Sequence, residues 1–410
     1  MSYLDEIKHL EESDKEFIWH PFTQMKGWLE QDPIIIVEGR DCFVKDAYGK
    51  WYLDGVSSLW VSIHGHRKQE IDDAVKAQLD KLAHSTLLGL SNIPAIQLAE
   101  KLIGLTDRSF PGNERRLTKV FYSDNGSTAV EVALKMAFQY WIHKGVRGRN
   151  SFLSLNYGYH GDTLGAVSIG GIAIFHSTFQ PLLFKSFKAP APYCYRCEIG
   201  KTFPACSFAC LKEMENILQQ HSTEIGAVVI EPVVQAAGGM IVWPGGYLSG
   251  VRELCYKYNV LLIADEVATG FGRTGRMFAS EHESVVPDIM CLSKGITNGY
   301  LPLAATLTTD DVFNAFLGEF SELKTFFHGH SYTGNPLACA AALACLQVFE
   351  KEHTLEKAGD AIALLESKLE DIAELPYVGN VRNKGLMAGI ELVRDKSSGE
   401  QYDWEERMGW

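Results

Sequence analysis

With 410 residues, 46% of them apolar and 22% charged, the chain has material for about two domains with sizeable cores, which excludes global disorder. A net charge of −13 and an isoelectric point near 5.5 argue against nucleic acid or an anionic membrane as the main partner, since both reward a basic surface. An anionic small molecule can still bind locally.

The start, Met1-Ser-Tyr-Leu-Asp-Glu-Ile-Lys-His-Leu10, has no basic stretch leading into an apolar run, so no secretory signal is read there. Nine cysteines, an odd number without a signal, fit reduced thiols and a cytoplasmic location. From about residue 34 to 54, Ile34-Ile-Ile-Val37, Cys42-Phe-Val44 and Trp51-Tyr-Leu53 alternate with turns at Gly39 and Gly49, which predicts a small antiparallel unit.

From about residue 118 short apolar runs alternate with longer amphipathic ones. Val120-Phe-Tyr122, Ser151 to Leu155, Ala227 to Ile230, Val260 to Ala264 and Ile289 to Leu292 read as buried strands. Thr128 to His143, Leu211 to Gln220 and Leu248 to Tyr258 carry apolar residues at helical spacing. That alternation predicts an α/β fold with a mostly parallel sheet covered on both faces, and ligand sites beyond the carboxyl ends of its strands. Glu231 interrupts the most apolar stretch, Ile225 to Val242, which therefore reads as a buried strand and loop, not a membrane span. After Asn335 an alanine-rich helix begins, and Leu386 to Val393 is strand-like. Both chain ends are read as one smaller α+β domain: residues 1–60 and 333–410 form it, and residues 61–332 form the large domain.

Several constellations carry chemistry. Ser123-Asp-Asn-Gly-Ser-Thr128 lies between a strand and a helix; its glycine, the Ser127 hydroxyl and the helix start make a phosphate cradle, although an ordinary capped turn has the same composition. Tyr157-Gly-Tyr-His-Gly-Asp-Thr163 offers an aromatic face with glycines that permit close approach to a planar ring; a tight loop with a packed tyrosine is the plainer alternative. Gly270-Phe-Gly-Arg-Thr-Gly275 follows an acidic strand end and reads as a flexible cationic loop, not a dinucleotide fingerprint. Thr325 to Asn335 is dense in hydroxyls and imidazoles and reads either as ligand-binding or as an interdomain or subunit contact. Cys194, Cys197, Cys206 and Cys210 form two pairs spaced as zinc ligands can be, or thiols packed under a surface loop.

The most informative pair is Lys294, in Ser293-Lys-Gly295, and Asp265, which closes the apolar run from Val260. A lysine amine holds an aldehyde cofactor as a Schiff base, and a carboxylate at the far end of the ring keeps a pyridine nitrogen protonated. Together they suggest a pyridoxal phosphate enzyme.

Read in chain order, these blocks resemble the class III aminotransferases of the type I pyridoxal phosphate fold, from about Trp19 to Val393. Trp19-His-Pro-Phe-Thr-Gln-Met25, Asp54 to Gly65, Gly158 to Thr163 and Gly334 to Ala342 look like one biosynthetic subgroup of that class. The resemblance implies an amino transfer between a small-molecule amine donor and a keto acceptor, with pyridoxal 5'-phosphate as cofactor. Lys294 resembles the Schiff-base lysine and proton shuttle, Asp265 the partner of the ring nitrogen, Gly126 and Ser127 the phosphate pair, and Tyr159 the aromatic stacked on the ring and touching substrate. Trp60 matches a wall of the substrate pocket. Gly329, His330 and Ser331 match the stretch that reaches a neighbouring subunit's site and cofactor phosphate, which implies an obligate homodimer. Arg273 in the glycine-rich loop is a further substrate-binding candidate.

The sequence departs from the family pattern in places. Phe22 stands where many members of the subgroup have tyrosine, Ala268 where many class III enzymes have glutamine, and His330-Ser331 where some have proline-threonine. The chain ends at Glu405-Glu-Arg-Met-Gly-Trp410, short of the region in which the family places an arginine for a substrate carboxylate, so the small domain reads as incomplete. Two alternatives remain open on the residues: another class III reaction on a different ketone, and a silent scaffold or metal-binding module working through the cysteine loop.

Overall fold

The computed structural model describes residues 2–408; Met1, Gly409 and Trp410, on which the reading of the two chain ends partly rests, lie outside them. A three-stranded antiparallel sheet comes first, formed by β1 (Ile36–Arg40), β2 (Phe43–Asp46) and β3 (Trp51–Leu53), as the turn spacing predicts. The central sheet follows, built from β4 (Leu117–Ser123), β5 (Ser151–Leu155), β6 (Phe187–Ala189), β7 (Ile225–Ile230), β10 (Leu261–Asp265), β11 (Ile289–Leu292) and β12 (Ala304–Thr309). Between β7 and β10 the short strands β8 (Val234–Gln235) and β9 (Ile241–Val242) pair with each other.

The central order is β4-β12-β11-β10-β7-β5-β6. Strands β11, β10, β7, β5 and β6 run parallel, and β12 runs antiparallel to both its neighbours. The expected mostly parallel α/β sheet is present, and all its strands fall inside the predicted large domain. β12 was not foreseen: Ala304-Ala-Thr-Leu-Thr-Thr309 is small and hydroxyl-rich, yet every residue of it is buried. Packing between β4 and β11 overrides its weak strand signal.

Burial on both faces explains why these strands read as continuous apolar runs. On β10, Leu261 and Ile263 face the helix Gly126–His143, whereas Leu262 faces the other side, where Met214, Leu218, Leu248 and Val251 of two further helices lie. On β11, Ile289 and Cys291 join the first layer, while Met290 and Leu292 meet a core that includes Leu98, Leu102, Cys339 and Ala342. Fully burying each such leucine contributes about 1.5–3 kcal/mol. The alanine-rich helix Pro336–Lys351 is capped by Asn335, which accepts from the Ala338 amide at 3.1 Å, and its small side chains let it nest among the helices Gln69–Leu79 and Ile93–Ser109.

A long helix, Thr354–Ala373, leads into the hairpin of β13 (Val378–Lys384) and β14 (Met387–Leu392). This hairpin and the N-terminal sheet are separate sheets. The hairpin is tied to the loop between β8 and β9 by Arg382, whose Nε donates to the carbonyls of Gly239 and Met240 at 3.0 Å. Among the described residues no helix is long and apolar enough to cross a membrane.

One buried acid fixes the turn after β10. Glu266 is fully buried and accepts from the Thr269 hydroxyl at 2.7 Å, the Ala279 amide at 2.9 Å, and the Ser280 amide and hydroxyl at 2.8 and 2.7 Å. Glu266→Ala strands four donors in the core and is expected to lower the unfolding free energy by about 3 kcal/mol. Equilibrium denaturant unfolding checks this, and a loss below about 1 kcal/mol contradicts it.

Candidate functional site

The carboxyl ends of the parallel strands open into a cavity of about 670 Å³, inside the usual range of roughly 300–1,000 Å³ for small-molecule sites. Asp265 is the last residue of β10, and the register sets it opposite Cys291, three residues before Lys294 on the loop leaving β11. Adjacent parallel strands thus deliver the carboxylate and the amine to one cavity, whose walls include both. Asp265 is buried; its Oδ2 accepts from His160 Nδ1 at 2.8 Å and its Oδ1 from the Val267 amide at 3.1 Å, which fixes the direction of the carboxylate.

Burial pushes the Lys294 amine below its ordinary range, opposed by the charges of Asp265 and Glu231. Its backbone is left-handed, with φ at 46°, and its Nζ sits 4.6 Å from the centre of the Trp60 ring. Trp60 closes a run of four left-handed residues, Ser57 to Trp60, a conformation that L side chains adopt only when their surroundings impose it. The imposing groups are identifiable. Asp54 accepts from the Ser58 amide and hydroxyl at 2.8 and 2.7 Å and from His66 Nε2 at 2.9 Å.

The helix Gly126–His143 also begins at the cavity wall. Asn125 caps it, accepting from the Thr128 amide at 3.0 Å, and the Gly126 and Ser127 positions line the cavity. A Cβ on Gly126 would stand 2.5 Å from Val267 Cγ1, so only glycine lets the chain pass this close. Ser127 Oγ lies 2.8 Å from Thr163 Oγ1 and accepts from the Thr163 amide at 3.0 Å. A helix start, a glycine and a hydroxyl at one end, with a desolvated amine and a carboxylate elsewhere on the walls, fit pyridoxal phosphate by donor set and charge.

Tyr159 forms a further wall. Its hydroxyl donates to Asp162 Oδ2 at 2.7 Å, and its amide donates to Glu231 Oε1 at 2.9 Å. Phe22 packs edge-on against Phe175 with ring centres 5.3 Å apart, and Phe175 in turn meets Tyr159 edge-on at 6.3 Å.

Lys294, Asp265, Tyr159, Gly126, Ser127 and Trp60 therefore converge, and Ala268 lines the same cavity. Arg273 does not line it. The loop Gly270 to Gly275 is largely buried instead of flexible, because Phe271 fills the core, and the Arg273 guanidinium donates to the Ser62 carbonyl at 2.7 Å and the Ser57 hydroxyl at 3.4 Å, behind Trp60. Gly329 and Ser331 are exposed and away from this chain's cavity walls. His330 reaches the site only through Asp124, whose Oδ2 accepts from its Nδ1 at 2.7 Å. Cys194, Cys197, Cys206 and Cys210 are free thiols around a separate cavity of about 20 Å³; among the described residues no set of three or more such side chains is arranged to hold a metal.

Two residues of the site went unassigned in the sequence. His160 carries no role of its own in the motif Tyr157 to Thr163, and Glu231 signals only a break in an apolar run. The signal is present for Glu231: like Asp265, it is an acid at the carboxyl end of a buried parallel strand.

A family model described as aminotransferase class-III matches residues 26–405. The chain is similar to an adenosylmethionine-8-amino-7-oxononanoate aminotransferase of Geobacter sulfurreducens, 57% identical over 401 residues, which span 98% of this chain and 87% of that relative. The crystal structure of a protein of the same name from Methanocaldococcus jannaschii superposes with a TM-score of 0.91 at 48% identity, over 98% of this chain and 88% of that one. An amine transaminase from an uncultivated Pseudomonas species, solved in its pyridoxal phosphate-bound form, superposes with a TM-score of 0.89 at 39% identity, over 95% and 87% of the two chains. The chain belongs to the class III aminotransferases, enzymes that depend on pyridoxal phosphate.

Proposed function

We propose that this chain passes an amino group to the ketone of 8-amino-7-oxononanoate, giving 7,8-diaminononanoate for biotin synthesis, with S-adenosylmethionine or lysine as donor. The observation that carries the chemistry is the meeting of Lys294 and Asp265 in one cavity at the ends of adjacent parallel strands. The acceptor is supported by the relatives named for that reaction, at 57% and 48% identity.

Bound there, pyridoxal phosphate supplies an electron sink for a proton to leave a carbon that bears nitrogen. Gly126, Ser127 and the helix start are suited to the phosphate, and Asp265, aimed by His160, to holding a proton on the ring nitrogen. Lys294, with its charged form disfavoured by burial, is suited to taking a proton at the donor carbon and returning it on the acceptor side. Trp60 and Tyr159 bound the space left for substrate. The same reading divides the chain into residues 1–60 and 333–410 as the small domain and 61–332 as the large one.

The proposal includes a homodimer. Phe320 is 96% exposed, Leu88 89%, Trp19 86% and Phe327 73%, a degree of apolar exposure that a second copy would cover. Gly329 to Ser331 lie in the same loop as Phe327, and their resemblance to the family's subunit-reaching stretch supports the same reading. Sedimentation equilibrium is expected to give twice the chain mass, and Phe327→Asp to shift it toward monomer; a wild-type monomer contradicts the arrangement.

Lys294→Ala is expected to lower amino transfer to 8-amino-7-oxononanoate by at least roughly a thousandfold while leaving the fold intact, since it removes the group that moves the proton. Product formation with each donor, followed by mass spectrometry, checks this. Full activity in the variant contradicts the assignment of Lys294. Brisk exchange with unrelated omega-amino acids but none with this ketone contradicts the acceptor.

A further inference from the structure

We infer that Glu231 is the positioning residue for Tyr159, clamping the ring-facing loop through two backbone amides. The inference rests on the aminotransferase reading above. Glu231 follows β7, is buried, and shares the cavity wall with Asp265 and Lys294. It spends both oxygens on the main chain: Oε1 accepts from the Tyr159 amide and Oε2 from the Ala236 amide, each at 2.9 Å. The next residue along the loop, His160, is held by Asp265. Two buried acids at the ends of neighbouring parallel strands therefore grip consecutive residues. At the first the His160 side chain aims the Asp265 carboxylate, and at the second Glu231 sets the backbone from which the Tyr159 ring projects.

The segment that provides the second amide also reaches outward. It runs on to Gly239 and Met240, whose carbonyls accept from Arg382 of the C-terminal hairpin. Glu231 is thus where the ring-facing loop and the segment gripped by that hairpin are fastened to each other.

The clamp needs the carboxylate form, because a protonated acid offers one fewer good acceptor to two donors. Burial pushes Glu231 up to about 7; the His160 charge opposes the shift and Asp265 adds to it. Tyr159 and Lys294 are the other titratable groups coupled to it. The sign follows. Since the folded value lies above the ordinary carboxyl value, ionisation of Glu231 costs global stability as pH rises from the ordinary value through about 7, yet that ionised form makes the clamp. The clamp is therefore stronger with the acid ionised, above about pH 7, and weaker with it protonated.

The test is the dissociation constant of pyridoxal phosphate from the reconstituted enzyme, measured for wild type and Glu231→Gln at pH 8 and pH 6. We expect the variant to hold the cofactor roughly tenfold more weakly at pH 8, the scale of one charge-assisted hydrogen bond, and the ratio to fall toward one at pH 6. In a Tyr159→Ala background the ratio is expected near one at both pH values, since the two residues act as one unit. If Glu231→Gln does not fold, the ratio is read on Glu231→Asp, which keeps the charge but cannot reach both amides. A ratio near one at pH 8, a tenfold ratio unchanged at pH 6, or a tenfold ratio persisting without Tyr159 overturns the inference alone. A wild-type protein that takes up no pyridoxal phosphate overturns the aminotransferase reading beneath it.

Discussion

The constraint on which the site depends is the pairing of β10 with β11. Parallel pairing in this register puts Asp265 level with Cys291, so the loop that leaves β11 carries Lys294 into the cavity that Asp265 already faces. A slip of one residue would turn every side chain of β10 to the other face of the sheet. It would exchange Leu262 with Leu261 and Ile263 between their cores and take Asp265 from His160. The two-sided burial of β10 is what makes such a slip costly, so the packing of three aliphatic side chains holds the chemistry in register.

Around that pair the molecule concentrates costs that a purely structural loop would avoid. Lys294 adopts a left-handed backbone, Ser57 to Trp60 are left-handed in succession, and two carboxylates and an amine are buried together. Several are held by identifiable neighbours: Asp54 and Arg273 for the Trp60 turn, His160 for Asp265, and the Tyr159 and Ala236 amides for Glu231. Strain supported in this way is a signature of a preorganised site, because the surroundings have fixed the geometry before any ligand arrives.

The sequence made the sheet legible wherever strands are buried on both faces, since Ala227 to Ile230 and Val260 to Ala264 have no other stable use. The antiparallel β12 escaped notice because its threonines and alanines gain their burial from neighbours distant in sequence. The meeting of Lys294, Asp265, Gly126, Ser127 and Tyr159 in one cavity is legible because their chemistry is local: an amine on a loop, an acid at a strand end, a glycine before a helix; Trp60 is marked only by the family resemblance. The loop that carries Arg273 differs from its sequence reading for the opposite reason. Composition makes Gly270 to Gly275 look like a mobile cationic loop, whereas Phe271 is buried in the core and the guanidinium donates to Ser57 and Ser62 with its Nε buried and without a partner. Glu231 was passed over because an acid in an apolar run signals a break in a span before it signals a clamp.

The most direct measurement of the central claim is an experimental structure of the protein with pyridoxal phosphate. The account predicts the aldehyde carbon joined to Lys294 Nζ, the ring nitrogen against the Asp265 carboxylate and the phosphate at Gly126 and Ser127. A ring bound with its nitrogen away from Asp265, or bound outside this cavity, would contradict it.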